Sequence, residues 1–543
     1  MENKNITIIG KDVIESLTLG MYENALIIYR EYIQNSADAI DKAVKAGLLP
    51  SRSKGYINIE IDYEKRIIYI EDIGIGIKKD ESIDILKNIA SSSKERGIDK
   101  GFRGIGRLGG LAYCDKLIFE TSYSGEETKT LMVWDAKLLK DILNDRHTKE
   151  TAIEVIEKVT SVTFEKENKE KHYFKVILQN VNNDNLLDYK KIKEYLEMVA
   201  PIPYRPAFKI YFKEFVEKFV SEVSINEYNI SINAAPLEKP YKTDIKDDND
   251  KWKENDKITR LEYFEVKDNE DLLGFGWYGV SSFSGVLSDK NIMRGIRLRK
   301  HNIQIGDEYT LLKFHKDTKR GNLYFIGEVH ASHADLIPNA RRDYFIPNNV
   351  VENFEKALKE RFEELHQKFY YASNLRSALK SIEQPEKEAS VLAEKISKND
   401  FIDYSDKEKS IKDYHEKLKK AEENKKKFEK LKDKANLDTI DSHIFKNIVG
   451  DKIIDASQND TIPKPDFNAS DSYPIVKEPS KIYNKIELED KINDSGFWTD
   501  RLSQLNKNER KLVGEVFSII VQNLPDKKLI ESLKQKLLDY YAK

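Results

Sequence analysis

Residues 30–41 read "REYIQNSADAID", and they lie within a longer helical pattern. Leu26, Tyr29, Ile33, Ala37, Ile40 and Val44 recur at the spacing of one helix face, the face a core would take. Glu31, Asn35 and Asp38 follow at i, i+4 and i+7 on the opposite side. A solvated face is the ordinary expectation for such a stripe. Asn and Asp are poor helix formers, however, and this chain uses lysine freely elsewhere. Small oxygen-bearing side chains on one stripe suit a ligand or a metal ion better than bulk water.

About thirty residues on, the run "INIEIDY" (57–63) alternates apolar and polar, and "RIIYIED" (66–72) follows a two-residue break. A β-hairpin is expected there. It ends in "IEDIGIGI" (70–77), which puts Asp72 at a strand end ahead of Gly74 and Gly76. Two glycines at that spacing allow a sharp turn and close approach to a flat ligand, and the carboxylate can accept from an exocyclic amine. A third stretch, residues 91–121, carries Gly97, Gly101, Gly104, Gly106, Gly109 and Gly110, then leads into a short helix and a strand. Backbone N–H groups at a helix start, with Lys94, Arg96, Arg103 and Arg107 nearby, suit a polyphosphate. The segment lacks the G-x-x-x-x-G-K-[ST] pattern of a Walker loop.

Composition bounds the rest. The 543 residues are 34% charged and 39% hydrophobic with net charge −3, which suits a soluble multidomain chain and argues neither for nor against a nucleic-acid partner. The single cysteine, Cys114, excludes an intrachain disulfide framework and fits a reducing, cytoplasmic setting. No apolar run is long enough for a signal peptide or a membrane span. Residues 1–182 form the first expected domain. Residues 183–352 form a second α/β domain with strand candidates "FKIYF" (208–212), "LLGFGWYGV" (272–280) and "NLYFIGEVHA" (322–331). A charged helical arm is expected over 353–454, for which a solvated arm and a short coiled coil are both open. Residues 455–482, with four prolines, read as a linker, and 483–543 as a C-terminal helical domain.

The three motifs in this order resemble the GHKL ATPase superfamily of gyrase, heat-shock-ninety chaperones, histidine kinases, MutL and MORC proteins. In build the chain is most similar to bacterial heat-shock-ninety-like ATP-binding proteins. The resemblance implies an α+β fold: a Bergerat-type ATPase sandwich, an α/β middle domain and a helical C-terminal region. It implies ATP and Mg²⁺ as cofactors. Asp72 would then bind the adenine amine beside Gly74 and Gly76, and Asn35 would ligate Mg²⁺. Glu31 would activate the attacking water, with Arg30 and Asp38 supporting it. "GFRGIG" (101–106), meaning Gly101, Arg103, Gly104, Ile105 and Gly106, would hold the phosphates together with Lys94, with Ser91 to Arg103 as a lid. "GNLYFIGEVHASHADLIPNARRDYF" (321–345) resembles a heat-shock-ninety middle-domain segment and would send Arg342, or its neighbour Arg341, to the γ-phosphate.

One departure stands out: the family's late glycine–threonine pair is missing, and the nearest stretch, "KEKHYFKVILQNV", has His172 and Tyr173 there. The resemblance further implies a homodimeric clamp acting on a dedicated protein partner or client, with antiviral defence as a setting. A DNA-acting ATPase of the MutL or MORC kind is the alternative. Arg294, Arg297 and Arg299 in "MRGIRLRKHNIQIG" read as mainly structural or interdomain.

Overall fold

The computed structural model describes residues 9–18, 24–89, 106–147, 149–245 and 256–450, then 499, 502, 504–523 and 527–541. The chain divides into two compact units, Met1–Phe467 and Asn468–Lys543. The expected linker, and Lys94, Gly101, Arg103, Gly104 and Ile105, lie outside the described residues.

The first unit opens with helices α1 (Asp12–Thr18) and α2 (Ile27–Lys45) and the hairpin β1 (Tyr56–Asp62) and β2 (Ile67–Asp72). Then come α3 (Lys79–Lys87), β3 (Lys116–Ser122), β4 (Thr128–Asp135), α4 (Ala136–Asn144) and α5 (Ala152–Val159). Strands β5 (Thr160–Lys166) and β6 (Tyr173–Gln179) precede α6 (Tyr189–Val199), α7 (Pro206–Tyr211) and α8 (Lys213–Val223). Two short strands, β7 (Asn229–Ile232) and β8 (Ala235–Pro236), complete an eight-stranded sheet of order β5-β4-β3-β6-β2-β1-β7-β8. The β1–β2 hairpin is antiparallel with Ile59 opposite Ile70, as its alternation requires. Ile57, Ile59, Ile68 and Ile70 all face the core that the helices cover.

Two expectations need correction. The break placed at residue 182 does not separate the sheets, because β7 pairs parallel to β1, Ile57 with Ile230 and Ile59 with Ile232. Ile230 and Ile232 continue the inward stripe and are buried with it. The stretch "FKIYF" is not a strand but lies in α7 and the residue after it, started by Pro206 at the first helical position. Phe208 and Phe212, four apart, meet edge-on at 5.0 Å in a buried aromatic cluster with Tyr204, Tyr241 and Trp277.

The second sheet has strands β9 (Arg260–Asp268), β10 (Asp271–Val280), β11 (Gly295–Lys300), β12 (Ile303–Ile305) and β13 (Ile326–Ala331), in the order β12-β11-β13-β10-β9. The helix α9 (Asn349–Ser397) follows, then α10 (Tyr404–Leu437) and α11 (Thr439–Val449). The first half of α9 is not a free arm: Phe354, Phe362 and Leu375 are buried with Leu298 and Val329 in the core of the second sheet. Helix α10 folds back along α9, with Lys417 on Glu388 and Asn424 on Ser381. In the second unit, α12 (Lys507–Asn523) and α13 (Lys527–Tyr541) pack around Leu502 and Phe517. Among the described residues no helix is long and apolar enough to cross a membrane.

Glu328 on β13 anchors the contact between α6 and the second sheet. It is fully buried, 2.6 Å from Arg299 Nε and 2.9 Å from Lys239 Nζ, and it accepts a 2.5 Å hydrogen bond from Tyr204. Arg299 also donates to the Met198 carbonyl at the end of α6, at 2.7 Å. Burial, reinforced by the charge of Arg299, pushes the Lys239 ammonium down to about 7. An unfolded chain would keep that proton to pH of about 10. Between these values the unfolded state binds more protons, so the native state gains stability as pH rises from 7 to 10. In Lys239→Met this contribution disappears. Across that range the difference in melting temperature between the two proteins should shift steadily in favour of wild type. Parallel curves would show that Lys239 stays charged when folded.

Candidate nucleotide-binding site

Helix α2 is buried on its polar side as well as its apolar one. Tyr29, Ile33, Ala37 and Ile40 face the core, yet Arg30 (5% exposed), Glu31 (8%) and Asp38 (3%) are covered too, and Asn35 is half-buried. A stripe left for solvent would be open, so this one is enclosed by other parts of the chain.

Asp72, at the end of β2, is 1% exposed, and its Oδ1 accepts the Gly74 N–H at 2.8 Å. The turn that follows lies directly on α2. A Cβ at Gly74 would come 2.4 Å from that of Ala39, and the Ile75 N–H donates to the Ala39 carbonyl at 3.1 Å. Gly76 has φ +70°, and a Cβ there would run into the Ser122 carbonyl at 1.9 Å, so the position admits only glycine.

The glycine-rich stretch reaches the same helix further towards its N-terminus. Gly106 opens a 3₁₀ turn, Gly106–Ala112, so close to Glu31 that a Cβ would lie 2.4 Å from Oε2. Tyr32 ties the turn down by donating to the Arg107 carbonyl and accepting from the Gly110 N–H, each at 3.1 Å.

The second sheet contributes the loop between β13 and α9. Arg30 donates from Nη2 to the Arg341 carbonyl at 3.0 Å, and the same nitrogen is 3.4 Å from Glu31 Oε1. Arg342 is 5% exposed and has φ 55°, a left-handed conformation that costs a non-glycine residue energy and is concentrated at working sites. It is therefore not a surface residue. Its carbonyl accepts the Gly306 N–H at 2.8 Å. A cleft of about 630 Å³ opens here, lined by Arg30, Arg341, Arg342, Arg294, Arg297 and Glu308 among others. Arg294 and Arg297 both pair with Glu308, at 3.1 and 3.0 Å, contacts made within the second sheet's own segment, which is the structural side of the sequence reading.

Along α2 the contacts run in one line: Arg30 to the Arg341–Arg342 loop, Glu31 to Gly106, Asn35 between, and Ala39 to the Asp72–Gly76 turn. From Glu31 to Ala39 is eight residues, or about 12 Å of helix. That span suits a base, sugar and phosphate chain laid along the helix. The stretch around His172 and Tyr173 lies beside the same turn. Phe174 stands directly across from Asp72 on β6, and His172 reaches the Gly74 carbonyl at 2.7 Å. Residue order points to His172 and Tyr173, and the strand register sets Phe174 against Asp72.

Residues 22–170 match the family model described as histidine kinase-, DNA gyrase B- and HSP90-like ATPase. That segment is similar to the ATPase domains of this class. The chain is similar to the chaperone protein HtpG of Burkholderia cenocepacia, 29% identical over 170 residues, covering 28% of this chain and 26% of that protein. Against HtpG of Clostridium botulinum (strain Hall) the identity is 34% over 119 residues, 20% of this chain and 19% of the relative. For HtpG of Escherichia coli O1:K1 it is 27% over 143 residues, 23% of each. The matched stretch thus spans about a quarter of the length of these relatives.

Proposed function

We propose that this chain binds and hydrolyses ATP and works as a cytoplasmic, dimeric conformational clamp on a protein partner, in the manner of a chaperone. The observation that carries the reading is the single line of contacts along α2. It puts a carboxylate for the base at one end, and an acid, a glycine-rich backbone and an arginine loop at the other.

In this reading Asp72 accepts the hydrogen bond of the adenine amine, and the Asp72–Gly76 turn shapes the base pocket. Asn35 supplies an oxygen to Mg²⁺, with Asp38 one turn on, along the same buried face. Among the described residues no group of three or more His, Cys, Asp or Glu side chains is placed to hold a metal. Asn35 would therefore share the ion with phosphate oxygens and water, as suits Mg²⁺. When bound, the ion supplies charge neutralisation on the phosphates. Lys94, Gly101, Arg103, Gly104, Ile105 and Gly106 would hold the phosphate chain. Glu31 takes a proton from the attacking water, and Arg30 holds both Glu31 and the middle-domain loop in register. Arg342 meets charge developing on the γ-phosphate with a planar, permanently charged fork.

The buried arginines bear on the choice between a protein and a DNA partner. Arg294 and Arg297 are used on Glu308 and Arg299 on Glu328, so the basic strand offers them to no phosphate backbone. This favours a protein partner. Dimerisation through the C-terminal helices and a setting in antiviral defence are proposed on family likeness.

Arg342→Ala should lower turnover about 10- to 100-fold, the loss of one charge-assisted contact in the transition state, with ATP affinity unchanged. Steady-state phosphate release together with calorimetry reads both quantities. A normal rate would remove Arg342 from the chemistry.

A further inference from the structure

The Asp72–Ile77 turn is held from several sides at once. Besides the Gly74 and Ile75 N–H bonds already described, the Ile77 N–H donates to Thr121 Oγ1 at 2.9 Å, and His172 Nδ1 lies 2.7 Å from the Gly74 carbonyl. A carbonyl oxygen only accepts, so Nδ1 carries the proton. The Thr121 hydroxyl donates onward to the Tyr173 carbonyl at 2.9 Å, which commits it to the strands and the turn. Asp72, Phe174 and Thr121 are direct partners across β2, β6 and β3, one rung on the helix-facing side of the sheet. Phe174 is half-buried and stacks on Phe119, centroids 5.8 Å apart. This chain therefore has an aromatic ring across from Asp72, with the Thr121 hydroxyl of the same rung already engaged.

We propose that His172 is a positioning residue for base recognition: by fixing the Gly74 carbonyl it preforms the purine end of the pocket. This rests on the nucleotide-site reading above. A turn with two glycines has wide backbone freedom, and holding it before the ligand arrives removes an ordering cost from binding. The His172 contact is made at the base end, two helical turns from Glu31. It therefore governs what all adenine nucleotides share and leaves the hydrolytic step alone.

His172→Ala should bind ATP and ADP alike about 2- to 10-fold more weakly by calorimetry, the worth of one hydrogen bond. KM should rise by a similar factor while kcat at saturation stays at the wild-type value. His172→Asn places an amide N–H the same number of bonds from Cβ as Nδ1 and should restore most of the affinity. If the alanine variant does not fold, His172→Phe keeps a ring without the donor and carries the same expectation. Wild-type affinity in a variant lacking the donor, a fall in kcat, or an asparagine variant no better than alanine would each overturn the role. Asp72→Asn, run alongside, separates the two readings. If it loses ATP while His172→Ala binds normally, only the His172 role fails; if it binds as tightly as wild type, the pocket itself is misplaced.

Discussion

Asp72→Asn should abolish measurable ATP binding, with affinity roughly 100-fold lower or worse. The amide oxygen of asparagine can still accept the Gly74 N–H that Asp72 Oδ1 accepts now, so the turn keeps its shape. The other end of the side chain becomes an NH₂ group. It would face the adenine amine donor to donor, at a site 1% exposed where water cannot repair the mismatch. A melting curve close to wild type alongside a flat calorimetric titration is the expected pair of results. An unchanged affinity would show that Asp72 does not read the base.

The second large effect falls on turnover. Glu31→Gln keeps the volume of the side chain and an oxygen towards Arg30, so ATP should bind as before. Hydrolysis should fall by roughly 10²- to 10⁴-fold, the usual worth of a positioned general base. Glu31 has the position for this role, with Gly106 packed on its carboxylate and Arg30 beside it. Single-turnover phosphate release after nucleotide loading separates the chemical step from binding. A variant that hydrolyses at the wild-type rate would return the water-activating role to another group.

Several elements of the candidate site could be read from residue order alone, for identifiable reasons. The apolar face of α2 repeats at the helical period, so its opposite stripe of Glu31, Asn35 and Asp38 followed. Asp72-x-Gly-x-Gly was legible because a φ of +70° and a neighbour at 1.9 Å leave no residue but glycine at Gly76. What escaped was set by packing between distant segments. Arg30 meets the Arg341 carbonyl 311 positions away, and no local pattern announces that pairing. In "FKIYF" the apolar residues fit period two, but Ile210 is 77% exposed while Phe208 and Phe212 are buried, so the helical spacing prevailed. The boundary at residue 182 fails likewise to separate the sheets, because the short strand Asn229–Ile232 returns to β1 only after three intervening helices. Phe174 needed the strand register before it could be set against Asp72.

A crystal structure with Mg²⁺ and a non-hydrolysable ATP analogue addresses the nucleotide site head-on. The purine should lie against Asp72 with its amine on the carboxylate, the metal on the Asn35 oxygen, and the terminal phosphate between Glu31 and the backbone at Gly106. A purine bound elsewhere, with Asn35 turned to solvent and nothing beside Asp72, would contradict the ATPase reading and the clamp built on it.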